Sequence, residues 1–119
     1  MKVFKQTLLA IIFSSTVNGC AVWNYIKPKP ELIENLPSNI SHAESKFDRR
    51  IRQQFLVGSS ERKLIQDLKS QGFQVNSSTQ SAVFKTSNLA CRLNWIIRWK
   101  TDDLENITKI VGKYNTVCL

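Results

Sequence analysis

Cys91-Arg92-Leu93-Asn94-Trp95-Ile96-Ile97-Arg98-Trp99-Lys100, with the polar run Thr101-Asp102-Asp103-Leu104-Glu105-Asn106 and the segment Ile107 to Cys118 behind it, decides the fold of this chain. Cys91, Leu93, Trp95, Ile97 and Trp99 alternate with Arg92, Asn94, Ile96, Arg98 and Lys100. A period of two sorts side chains onto the two faces of a strand. The polar run reads as a turn and residues 107–118 as the return strand. With the hairpin midpoint between Leu104 and Glu105, opposed residues carry numbers that sum to 209. Trp99 then faces Ile110, Ile97 faces Gly112, Trp95 faces Tyr114 and Cys91 faces Cys118. Apolar residues collect on one face. Arg92, Arg98, Lys100, Lys109 and Lys113 collect on the other, with Ile96 and Val111 among them. A slip of one residue would break both the sorting and the cysteine match. The register therefore predicts a Cys91–Cys118 disulfide, with two buried free thiols as the alternative. The closed loop would hold 28 residues counting both ends.

Upstream of the hairpin the chain changes period. Phe73-Gln74-Val75 and Ala82-Val83-Phe84 read as two shorter strands, with Asn76 to Gln80 as the turn between them. Before Gly72 the apolar residues recur at helical spacing. Phe47, Ile51 and Phe55 form one stripe, and Leu64, Ile65 and Leu68 another. Ser41-His42-Ala43-Glu44 has the form of a capping box, with Ser41 as N-cap. Ser59 or Ser60 caps the second helix, Glu61 suits its first turn, and Gly72 suits the position after its end. These signals predict helices over about 42–56 and 60–71. The expected fold class is α+β: two N-terminal helices packed on a small antiparallel sheet of three to four strands, in two layers. Residues 41–119 would form that single domain.

The first 40 residues read differently. Lys2 and Lys5 precede an apolar stretch, Thr7 to Phe13, too short to span a bilayer, which needs about 20 residues. Small and polar residues then lead to Cys20. This order of charge, short apolar run and small residues is that of a secretory signal, here residues 1–19. Val17-Asn18-Gly19-Cys20 resembles the lipobox of bacterial lipoproteins, in which the cysteine thiol is alkylated by diacylglycerol and becomes the new N-terminus. Ala21 rather than Asp after the cysteine is similar to the sorting signal for the outer membrane in enteric lipoproteins. The resemblance implies a lipid, palmitate included, at Cys20, and a periplasm-facing domain held by it. Residues 20–40 would be the anchor and an extended tether. Trp23, Tyr25 and Ile26 stand near the lipid, and Lys27-Pro28-Lys29-Pro30 favours polyproline II. Leu32, Ile33 and Leu36 leave a helical turn or a docking segment open.

Composition limits what the domain can do. The 119 residues carry 17 Lys plus Arg and 9 Asp plus Glu, a formal net charge of +8. Loss of residues 1–19 removes Lys2 and Lys5 and leaves 15 basic and 9 acidic groups, a net +6. One His and the absence of CxxC spacing give no recognisable zinc site. His42, the one histidine and the only candidate for a general base, sits at a helix start without an evident partner. Asp102, Asp103 and Glu105 lack the calcium-loop spacing and suit a solvated turn. Gly19, Gly58, Gly72 and Gly112 are too sparse for a phosphate-cradling loop. No active site, metal or cofactor is expected. An exported chain has no call on nucleic acid, so anionic envelope surfaces or an envelope protein are the available partners for its cations.

Gly58-Ser59-Ser60, the Leu64 to Leu68 helix, Gly72-Phe73 and the Leu93 to Ile110 hairpin together resemble the SmpA/BamE family and the related β-lactamase-inhibitor-protein-like domains of small lipoproteins. The similarity covers roughly residues 47–115 and rests on pattern. Gly72-Phe73-Gln74 stands where that group has Gly-x-Pro. The resemblance implies a domain that assists outer-membrane assembly or binds other proteins through its sheet. Three readings follow: a non-enzymatic lipoprotein that binds another envelope macromolecule, an immunity or inhibitor lipoprotein, and a structural component of a secretion or conjugation machine. In the first, the sheet face or the helix surface would be the docking site, and Arg92, Arg98, Lys100, Lys109 and Lys113 are the candidate binding residues.

Overall fold

The structure is a computed structural model, and it describes residues 29–119. The readings of the signal segment, of Cys20 and of the chain up to Pro28 lie outside the described residues. The chain forms a 3-10 turn (Glu31–Ile33), helix α1 (Ile40–Gln54), helix α2 (Glu61–Ser70), and strands β1 (Gln74–Asn76), β2 (Ser81–Ser87), β3 (Cys91–Thr101) and β4 (Ile107–Cys118). The strands form one antiparallel meander in the order β1-β2-β3-β4. The class is thus α+β, with two helices preceding a four-stranded antiparallel sheet.

The hairpin register holds from Cys91↔Cys118 to Lys100↔Lys109, all at the sum 209. A bulge then shifts the last pair to Thr101↔Ile107. Asp102 shapes the turn behind it. Its Oδ1 accepts the Leu104 and Asn106 amides at 2.9 and 3.0 Å, and Glu105 takes a positive φ of 62°. Cys91 and Cys118 form the disulfide. Ladder parity explains why they can. The Gly112 and Tyr114 amides turn away from β3, so even-numbered residues of β4 occupy the non-hydrogen-bonded pairs, where side chains come closest.

Several local expectations need correction. The N-cap of α1 is Asn39 and not Ser41: Asn39 Oδ1 accepts the His42 amide at 3.1 Å and the Ser41 hydroxyl at 2.8 Å. Glu44 does not reach back to the helix start, because its Oε2 accepts the Tyr114 amide at 3.0 Å instead. Ser60 caps α2 as expected, accepting from the Arg62 and Lys63 amides. β2 is longer than its apolar core suggested, running on through Lys85, Thr86 and Ser87. Asn76 ends β1 and opens the turn, its Oδ1 accepting the Ser78 and Thr79 amides.

The helices do not lie as a plain layer over one face of the sheet. α1 runs antiparallel to β4 along the sheet's edge and presents Glu44 and Asp48 to that edge. α2 sits on the β1 side. Phe47, Ile51, Leu64, Leu68, Ile97 and Ile107 are the largest fully buried side chains between these parts. Trp95 stacks on Tyr114 with ring centroids 3.7 Å apart, and Phe47 packs on Trp95 at 5.1 Å. Leu32 and Ile33 also belong to the core, only 3% and 4% exposed. They form a helical turn and a docking segment at once. Arg50 Nη1 holds the turn by donating to the Glu31, Leu32 and Glu34 carbonyls, at 3.3, 3.1 and 2.6 Å. Among the described residues, no helix is long and apolar enough to cross a membrane.

Candidate functional site

Strand alternation sorts the side chains onto two faces, and among the described residues nothing packs over one of them. On β3 and β4 that face carries Arg92, Arg98, Lys100, Lys109 and Lys113, all exposed, as the sequence placed them. The structure adds Lys85. It falls on the same face because Lys85 opposes Asn94, just as Val83 opposes Ile96. Sequence reading missed it by ending β2 at Phe84. The signal was present in the alternation of Val83, Lys85 and Ser87, but an outward Val83 and an inward Thr86 blur it.

Three β-branched side chains lie among the six cations. Val83 directly opposes Ile96, and Val111 lies diagonally across from Ile96, two residues from its partner Lys113. All three are half-buried. Asn94 and Asn115 close the row beside them, the Asn94 amide donating to Asn115 Oδ1 at 2.9 Å.

Among the described residues no Asp or Glu stands on this face. β2, β3 and β4 contain no Asp or Glu at all. The ion pairs among the described residues are Arg52–Asp48 at 2.8 Å and Lys63–Asp67 at 3.7 Å, both within helices. Lys100 and Lys109 oppose each other directly, an arrangement that destabilises a sheet. Folding therefore gives no reason for this cluster of cations. Water and counterions screen them over about 8 Å at physiological ionic strength, which leaves their joint field strong at contact range.

The remaining candidates fall elsewhere. Asp102 serves the turn geometry, and Asp103 and Glu105 are exposed beside it. His42 is exposed in the first turn of α1. Arg50 is committed to the 3-10 turn. Among the described residues no group of three His, Cys, Asp or Glu side chains could hold a metal. Glu61 is the carboxylate that ties α2 to the sheet. Its Oε2 accepts from Trp99 Nε1 at 2.7 Å and from Gln80 Nε2 at 3.2 Å. That role is structural, since both donors belong to the packed interior side.

The sheet face is thus a strongly basic surface with an apolar centre. It can attract and orient an acidic partner, because exposed like charges raise encounter rates and suppress wrong pairings. No family model matches this chain, and the comparisons with curated proteins and with solved structures found no match.

Proposed function

We propose that this protein is a lipid-anchored, periplasm-facing lipoprotein of the bacterial outer membrane, without catalytic activity, that binds another envelope macromolecule through the bare face of its sheet. One observation carries the binding role. Lys85, Arg92, Arg98, Lys100, Lys109 and Lys113 surround Val83, Ile96 and Val111, and among the described residues no Asp or Glu shares the face. An apolar centre with a charged rim is how protein-binding surfaces are built, the centre supplying affinity and the rim supplying steering and selectivity. The anchor rests on the sequence from Lys2 to Ala21. A second acyl chain makes such attachment firm, at about 0.8 kcal/mol per buried CH2.

The test is recovery of partners from envelope extracts with the wild-type chain and with Arg98→Glu/Lys113→Glu. Both positions are exposed, so the double variant should keep its unfolding midpoint. Recovery should fall, and the difference should shrink as salt is raised, because the screening length drops from about 10 Å at 0.1 M to about 3 Å at 1 M. Equal recovery at low salt would show the face to be solvated surface only.

A further inference from the structure

β2 runs from Ser81 to Ser87, yet β1 pairs with only its first three residues, Ser81 to Val83. β1 is the outermost strand on that side. Among the described residues, then, no strand lies beside the outer edge of β2 beyond Val83. Ladder parity identifies the groups this leaves open. The Trp99 amide donates to the Gln80 carbonyl at 3.1 Å, and the Asn88 amide to the Cys91 carbonyl at 3.0 Å. Even-numbered residues of β2 therefore face β3. Ser81 and Val83 face β1, while Lys85 and Ser87 turn their N–H and C=O groups outward, in line with the end of β1.

The opposite edge of the sheet is treated differently. There α1 lies along β4, and two outward amides are taken up by side-chain carboxylates. Natural sheets cover or blunt their edges because open ones recruit further strands. α1 covers the middle of the long β4 edge, and a short stretch of β2 is left without a neighbour among the described residues. Two depressions flank that stretch. One, of about 290 Å³, is lined by Gly72, Gln74, Val83, Phe84, Lys85 and Thr86. The other, of about 250 Å³, is lined by Lys85, Thr86, Ser87, Arg92 and Asn94.

We propose that the Lys85–Ser87 edge of β2 receives an extended acidic segment of a partner protein as an added strand. The inference rests on the binding role argued above and names how the partner engages. An added strand would continue the line of β1 and bond to the outward groups of Lys85 and Ser87, the mode in which backbone bonds give affinity and alternate side chains give specificity. Its side chains would alternate between the two faces. One set falls beside Lys85 and Arg92, where cations have no carboxylate to answer them. The other falls beside half-buried Phe84, whose ring packs on Phe73 at 5.7 Å. Acidic residues alternating with apolar ones match both. A lipid surface offers the negative charge but no backbone for the edge.

The probe is an eight-residue peptide of alternating glutamate and valine, tested against the full chain. Controls are the same peptide with its alternate amides N-methylated, a lysine-for-glutamate version, and vesicles of anionic phospholipid. The first peptide should bind and slow hydrogen exchange of the Lys85 and Ser87 amides, and the two altered peptides should not bind. Ser87→Pro removes one outward donor without changing charge. It should weaken binding about tenfold while leaving the unfolding midpoint in place. Equal binding of the N-methylated peptide, or unchanged exchange at Lys85 and Ser87, overturns the edge proposal. If Arg98→Glu/Lys113→Glu still abolishes partner recovery in that case, binding by the face stands without the edge. Vesicle binding with no peptide binding overturns it in favour of a lipid surface. Equal recovery of partners by the wild type and the charge-reversed chain sinks the binding role itself, whatever the peptide does.

Discussion

Asp48 of α1 accepts a hydrogen bond from the amide of Gly112 in β4, at 2.8 Å. One helical turn earlier Glu44 accepts from the Tyr114 amide at 3.0 Å. Two pitches make the pairing possible. Four helical residues advance about 6 Å and two strand residues about 6.7 Å, so carboxylates at i and i+4 meet alternate amides of a strand running the other way. α1 thereby acts as a cover for a sheet edge that would otherwise present a row of open donors.

Gly112→Ala tests how close that cover must lie. An added Cβ would stand 2.9 and 3.0 Å from the Phe47 ring and 3.1 Å from the Asp48 Cα. The ring is held against Trp95 and the Cα is backbone, so neither gives way easily. The substitution should cost about 1–3 kcal/mol, as overpacking does. Denaturant unfolding reads this directly, and an unchanged midpoint would show that α1 can lift off β4 freely.

Removal of the Glu61 carboxylate should be felt in the core. Trp99 is buried and its indole N–H has that oxygen as acceptor, with Gln80 sharing it. Glu61→Ala leaves the indole donor without a partner and should destabilise by about 1–3 kcal/mol. Glu61→Gln keeps an acceptor oxygen and should lose clearly less. Equal losses in the two variants would mean the hydrogen bond contributes nothing.

The Tyr114 phenol is raised above its ordinary value of 10.0, because burial disfavours the charged form. The folded chain therefore holds this proton more tightly than the unfolded chain. Its contribution to stability is complete below pH 10 and is lost as pH rises through the folded value. Unfolding midpoints should thus fall above pH 10, and Tyr114→Phe should flatten that part of the slope. The same slope in both chains would assign the loss to other groups.

The Cys91–Cys118 bond closes a span of 27 residues in sequence. In the chain-entropy account such a loop contributes about 3.5 kcal/mol. Cys91→Ala/Cys118→Ala should lower stability by about that amount, measured against the oxidised chain. The unreduced wild-type chain should weigh two hydrogens less than its reduced form. Two thiols open to alkylation in the folded protein would contradict the pairing.

Cys20→Ser bears on the anchor. The variant should be released in soluble form to the periplasm or persist as an uncleaved precursor. Continued fractionation with membranes after normal processing would rule out the lipid at Cys20.

The hairpin was legible in the sequence because its signals agree at one register. Period-two sorting, the turn residues and the two cysteines all require the sum 209, and any slip exposes Trp95 and Ile97. Five of the six cations on the bare face followed from that register alone. Tertiary structure decided what short-range rules leave degenerate. Asn39 and Ser41 are both good caps, and local chemistry does not choose between them. With Asn39 as cap, Glu44 is free for Tyr114. Arg50 looks like any surface cation until Leu32 and Ile33 fold back and bring three carbonyls to it. Gly112 carries no turn signal and is explained only by Phe47 and the α1 backbone. Lys85 joined the face only when pairing with β3 extended β2 to Ser87. Periodicity and capping act within a few residues of the chain, so they define elements and faces. Which faces meet, and which edge stays open, depends on contacts between residues such as Asp48 and Gly112 that lie 64 positions apart.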